Sequence, residues 1–94
     1  MPIQPTLIAG VVRDTRGRPV PQARVYLTAG PGPLPDIAML TDEAGGFCLS
    51  VALEGQYKLA SSADGFAPTE VSVRAQRGLR TAIEMTLEKK SRGG

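Results

Sequence analysis

The sequence predicts an all-β domain, a seven-stranded antiparallel Greek-key β-sandwich, and three observations lead there. Short runs alternate apolar and polar residues with a period of two, as in Ala23, Val25, Leu27 and again in Phe47, Leu49, Val51. Turn signals punctuate them: the chain has 11 Gly and 8 Pro, and Asp-x-x-Gly occurs at 14–17 and 42–45. No apolar stripe with helical period runs longer than a single turn. A length of 94 residues allows one two-sheet core and no second one. The expected division is an N-terminal arm at 1–5, the sandwich at 6–88 and a polar tail at 89–94.

The first strand is read at 6–13, with Ile8, Gly10 and Val12 on one face and Leu7, Ala9 and Val11 on the other. Both faces are apolar, so the inward one stays open. Asp14-Thr15-Arg16-Gly17 ends it with a turn, and the prolines in Arg18-Pro19-Val20-Pro21 interrupt the hydrogen-bond ladder. The second strand, 23–29, turns Ala23, Val25 and Leu27 inward and Arg24, Tyr26 and Thr28 outward. Residues 30–36 carry three prolines and fit neither helix nor strand, with Leu34 as an exposed apolar residue at their centre.

A short strand at 37–41 leads into Asp42-Glu43-Ala44-Gly45. There the aspartate caps a type I turn and the glycine takes the left-handed conformation. Residues 47–51 are expected to be its hairpin partner. After a reversal at Leu53-Glu54-Gly55, Tyr57, Leu59 and Ser61 line the inner side of the next strand. The turn Ser62-Ala63-Asp64-Gly65 follows, with Phe66 packed under it. Val71 and Val73 alternate with Glu70, Ser72 and Arg74; a turn at Gln76-Arg77-Gly78 then leads to the last strand, 79–87, with Ile83, Met85 and Leu87 inward.

Composition removes several function classes. The 11 Lys and Arg against 9 Asp and Glu leave +2, and four aromatic side chains offer little stacking surface, so nucleic acid is not an expected partner. Without His the chain lacks the commonest general base and metal ligand, and a single Cys allows neither a thiolate cluster nor an internal disulfide. No cofactor and no structural zinc is expected. The start has no basic region and apolar hydrophobic core of a signal peptide, and no run is long enough to span a membrane. The expectation is a chain that does not insert in a membrane, cytoplasmic or exported as part of a larger protein or by a signal-less route.

Three blocks carry a family resemblance. They are Gly10-x-Val12-x-Asp14-x-x-Gly17-x-Pro19-Val20-x-x-Ala23-x-Val25-x-Leu27, then Thr41-Asp42-x-x-Gly45-x-Phe47-x-Leu49, then Gly55-x-Tyr57-x-Leu59 running on to Gly65-Phe66. In that order and spacing the chain resembles the carboxypeptidase regulatory-like domain family, among the transthyretin-like, or prealbumin-like, Ig-like sandwiches. The resemblance implies a non-catalytic module of the kind that accompanies D-type metallocarboxypeptidases or occurs in bacterial surface proteins, outer-membrane receptors and secretion-spike tips. Related hydroxyisourate hydrolases rely on histidines, which are absent here. Isopeptide-forming relatives need a lysine on the first strand, and the first lysine here is Lys58.

No residues assemble into a catalytic set: Ser61, Ser62 and Asp64 lack a base. If successive strands alternate in direction, the turns at Asp14, Asp42 and Asp64 share one end of the sandwich, and the loops near Pro33, Glu54 and Arg77 share the other. The acidic end, with Asp14, Asp42, Glu43 and Asp64, reads as turn capping rather than a Ca²⁺ site. Cys48 is expected to face outward as an ordinary thiol. Arg74, Arg77 and Arg80 gather around one turn and read as a solvated cluster. The candidate contact residues for a protein partner or neighbouring domain are Pro31, Pro33, Leu34 and Pro35, on a loop that proline makes stiff, and Arg77 in a turn at the same end. The function read from the sequence is a non-catalytic protein-binding or adaptor module, with a structural spacer in a larger surface, secretion or peptidase protein as the alternative.

Overall fold

Alternation of apolar and polar residues resolves into eight strands. In the computed structural model, which describes residues 5–34 and 38–90, these are β1 (Thr6–Asp14), β2 (Arg24–Ala29), β3 (Ala38–Leu40), β4 (Gly46–Val51), β5 (Gly55–Ser62), β6 (Phe66–Ala67), β7 (Thr69–Ala75) and β8 (Arg80–Lys89). They form two four-stranded sheets, one in the order β4-β1-β8-β6 and the other β3-β2-β5-β7. The expected sandwich is therefore present, with an eighth strand that the alternation did not signal. At two residues, β6 is too short to show a period; it pairs with the end of β8, Phe66 opposite Lys89 and Ala67 opposite Glu88.

The inner faces of the sheets meet in one core. Ile8, Val12, Val25, Leu59, Met85 and Leu87 are fully buried there, with Phe47, Leu49, Val51, Tyr57 and Val73 around them. This settles the direction of β1, whose Ile8–Val12 side faces the core. The strand is apolar on its other side as well, and Ala9 is only 2% exposed. Leu27 is half-buried like Tyr26, because the β2–β5 register slips between Leu27 and Ala29 and loosens the alternation. At Gly10 the strands leave no room for a side chain: a Cβ there would run into the Ile83 carbonyl oxygen and lie 3.0 Å from the Phe47 ring.

Three expectations are corrected. Residues 37–41 and 47–51 do not form a hairpin. β3 pairs with β2, Arg24 opposite Leu40, whereas β4 pairs with β1, Ile8 opposite Leu49, so the turn between them is a corner joining the two sheets. The sandwich is not wholly antiparallel, since β1 and β8 run parallel from Leu7 opposite Arg80 to Asp14 opposite Leu87. The last strand also extends past 87 to Lys89, and the Lys90 N–H donates to the Gly65 carbonyl at 3.0 Å, so these two residues belong to the sheet region and not to a tail. Residue 37 lies outside the described residues.

Candidate functional site

Both Asp-x-x-Gly turns are built alike. The Asp14 N–H donates to the Arg18 carbonyl and the Gly17 N–H to the Asp14 carbonyl, while the Asp14 Oδ1 accepts from the N–H groups of Arg16 and Arg18, both at 2.9 Å. Around Asp42 the same four bonds recur with Gly46, Gly45 and Ala44. Gly17 and Gly45 take φ of 81° and 78°, the left-handed conformation that a type I turn with a bulged glycine requires. The first turn is the more enclosed of the two. The Arg18 N–H, most of all, holds the Asp14 carboxyl below its ordinary value, with the Arg16 N–H and the Arg18 guanidinium adding to it against partial desolvation. These carboxylates are thus occupied by their own turns, and among the described residues no group of three or more acidic, His or Cys side chains could hold a metal ion.

At this end of the sandwich lies an open groove of about 870 Å³, lined by Pro19, Pro21, Arg24, Leu40, Phe66 and Lys90, among others. Leu40 stands 62% exposed in its wall. The sequence reading missed this groove, because its lining comes from four separate segments and no local pattern announces their meeting.

At the opposite end, the loop following β2 folds onto the sandwich. Pro31 packs against Gly55, whose φ of 144° and missing Cβ leave room for the ring. Leu34, expected to be exposed, is half-buried and packs against the core, near Gly30 and within the cluster that includes Tyr57. Pro31 and Pro33 are exposed, and Pro35 lies outside the described residues. Arg77 is exposed, and its backbone N–H reaches the Glu54 carboxylate at 3.4 Å; the neighbouring Gly78 N–H donates to Thr6 Oγ1 at 3.0 Å. Arg74 and Arg80 are exposed near the same turn.

The apolar residues presented here are Leu53, 44% exposed, and Leu79, 54% exposed. Each has its carbonyl fixed, Leu53 by the Tyr57 hydroxyl at 2.7 Å and Leu79 by the Leu7 N–H at 3.0 Å. The signal for them in the sequence is an apolar residue inside a turn, out of step with the strands on either side. Elsewhere Cys48 is exposed on β4, and Lys58 is exposed on β5. Ser61 is fully buried, with no hydrogen-bond partner for its hydroxyl among the described residues.

Fold and surface together define a two-sheet all-β module in which the Asp14 and Asp42 carboxylates serve their own turns. The chain belongs to the carboxypeptidase regulatory-like domain family, whose sequence pattern matches residues 7–88. No curated protein matches the sequence. Among solved structures it is similar to GBS52, the minor pilin of Streptococcus agalactiae, with a TM-score of 0.71 and 15% identity over 98% of this chain and 48% of that one. The Bacillus anthracis TIE protein gives a TM-score of 0.68 at 11% identity, over 92% of this chain and 17% of the other. A 3-chlorocatechol 1,2-dioxygenase from Rhodococcus opacus 1CP gives 0.66 at 13% identity, over 89% and 59%. These likenesses are of fold, and in each case this chain spans less than two thirds of the other protein.

Proposed function

We propose that the chain is a non-catalytic docking module that holds a protein partner or neighbouring domain at its proline-rich end. The observation that carries this reading is the pinned presentation of Leu53 and Leu79: two exposed leucines on backbone already held by hydrogen bonds lose little further freedom on contact. Pro31, Pro33 and Arg77 frame that end with stiff backbone and a cation, while Leu34 stiffens the loop from beneath. The family supports a module without turnover of its own. The dioxygenase likeness adds no chemistry, being one of fold at 13% identity.

The test is recovery of partners from the source lysate by the intact domain and by two folded variants, Leu53→Ser with Leu79→Ser, and Leu40→Ser. Loss with the double variant alone supports docking at the proline-rich end. Loss with Leu40→Ser alone moves the contact to the groove, and turnover of any substrate abolished by a single substitution would end the non-catalytic reading.

A spacer role is a second reading, favoured by the path of the chain. β1 starts beside Gly78 and Leu79, and β8 finishes beside Gly65, at the other end of the sandwich. Segments flanking the domain would thus be held apart by its length. Recovery of no partner by any of the three proteins favours this reading, whereas equal recovery of one partner by all three moves the contact to another surface.

A further inference from the structure

Sheet edges need protection against foreign strands, usually by charge, proline, bulges or shortness. Three of the edges here have it. β3 is three residues long, β7 carries Glu70 and Arg74, and the stretch of β8 beyond the reach of β6 carries Arg80 and Glu84. β4 has none of these devices: Gly46-Phe47-Cys48-Leu49-Ser50-Val51 contains no charge and no proline, and its register with β1 is unbroken.

The direction of its backbone groups follows from one bond. Val12 N–H donates to the Gly45 carbonyl, which makes Val11 and Gly46 a non-hydrogen-bonded pair. By alternation Phe47, Leu49 and Val51 bond to β1, and Gly46, Cys48 and Ser50 point their amides and carbonyls away from the sheet. Both groups of Gly46 are already taken by Asp42, its N–H by Oδ1 at 2.8 Å and its carbonyl by the Asp42 N–H at 3.0 Å. What stays open among the described residues is the N–H and C=O of Cys48 and of Ser50. Both side chains are small and exposed, so nothing among the described residues shields the edge.

We propose that this edge pairs with a second copy of the chain, antiparallel, about a two-fold axis at Leu49. In that register Cys48 of one copy faces Ser50 of the other, and the two pairs form four hydrogen bonds that use every open group. The neighbouring registers do worse. Centring on Cys48 sets Ser50 against Gly46, whose groups Asp42 occupies, and centring on Ser50 sets Cys48 against Ala52, beyond the end of the strand. An uncharged edge also meets its own copy without repulsion. The two four-stranded sheets become one of eight strands.

The test uses the intact chain. Sedimentation equilibrium is expected to show a concentration-dependent dimer that survives Cys48→Ser, because the bonds are backbone bonds. Ser50→Lys, which guards the edge at an exposed position, is expected to raise the dimer dissociation constant about tenfold or more. In Ser50→Cys, mild oxidation is expected to join Cys48 of one copy to the cysteine introduced in the other, since hydrogen-bonded antiparallel pairs stand about 5.5 Å apart at Cα, within disulfide range. A chain that stays monomeric at millimolar concentration, a dimer indifferent to Ser50→Lys, a disulfide mapping only to Cys48 with Cys48, or capture of a foreign extended peptide in place of a second copy would each overturn the proposal.

Discussion

Val12 and Gly45 are joined twice over: the Val12 N–H donates to the Gly45 carbonyl at 2.8 Å, and a Cβ on Gly45 would lie 2.5 Å from the Val12 carbonyl oxygen. The corner that connects the two sheets is thus built on a glycine for two reasons, its positive φ and the closeness of β1. Gly17 has only the first, with nothing within 4 Å of its missing Cβ. Gly17→Ala is therefore expected to cost about 1–2 kcal/mol, the penalty of the left-handed backbone alone. Gly45→Ala should cost clearly more, by an added packing penalty of about 1–3 kcal/mol. Urea unfolding of the two variants checks the order, and equal losses would refute the packing argument.

Thr41 anchors the same corner from the other sheet. Its hydroxyl donates to the Val20 carbonyl at 2.6 Å and accepts from the Ala23 N–H at 2.9 Å, and the residue is 4% exposed. Thr41→Val keeps the shape and leaves both backbone groups unpaired, for an expected loss of about 1–3 kcal/mol. Thr41→Ser keeps both bonds and should retain most of the stability; chemical denaturation distinguishes them.

Ser61 makes the opposite case. Its hydroxyl is buried without a partner among the described residues, so it contributes desolvation cost and no bond. Ser61→Ala is expected to be neutral or to stabilise the fold by up to about 1 kcal/mol. A marked loss in the thermal midpoint would mean that the hydroxyl has a partner after all.

Acid sensitivity should trace to Asp14. Its folded carboxyl titrates below the ordinary value of 3.8, so its charged form stabilises the fold fully above that pH, and this contribution is lost as pH falls through the lower folded value. Asp14→Asn should therefore be less stable than the parent at neutral pH, with the gap closing below pH 3.8. Thermal midpoints of both proteins, followed from neutral pH to well below the ordinary carboxylate value, measure it. A gap that is constant throughout would sink the assignment.

Strands and turns were largely legible because their causes are local. Phe47, Leu49 and Val51 alternate, and Asp14 and Asp42 cap turns by bonding amides two and four residues on, all within a few positions of the chain. Partner choice is a different kind of fact. Nothing in the Thr41–Gly46 segment reveals that the strands on its two sides belong to different sheets; that depends on bonds from Ala23, Val20 and Val12. The same limit explains Leu34, whose loop looks free until Tyr57 and Gly55 are brought beneath it, and it explains why Leu53 and Leu79 went unnoticed as surface features.

The parallel pairing of β1 and β8 has a mechanical side. The first and last strands lie next to each other through eight aligned pairs, so a pull on residues 5 and 90 slides one strand along the other in opposite directions. The bonds between them lie across the pull and are strained together, whereas peeling β4 from β1 would break them one after another. Under single-molecule stretching the domain is expected to yield at a higher force when held at residues 5 and 90 than when held so that β4 is peeled away. Similar forces in the two geometries would deny it the character of a tension-bearing link.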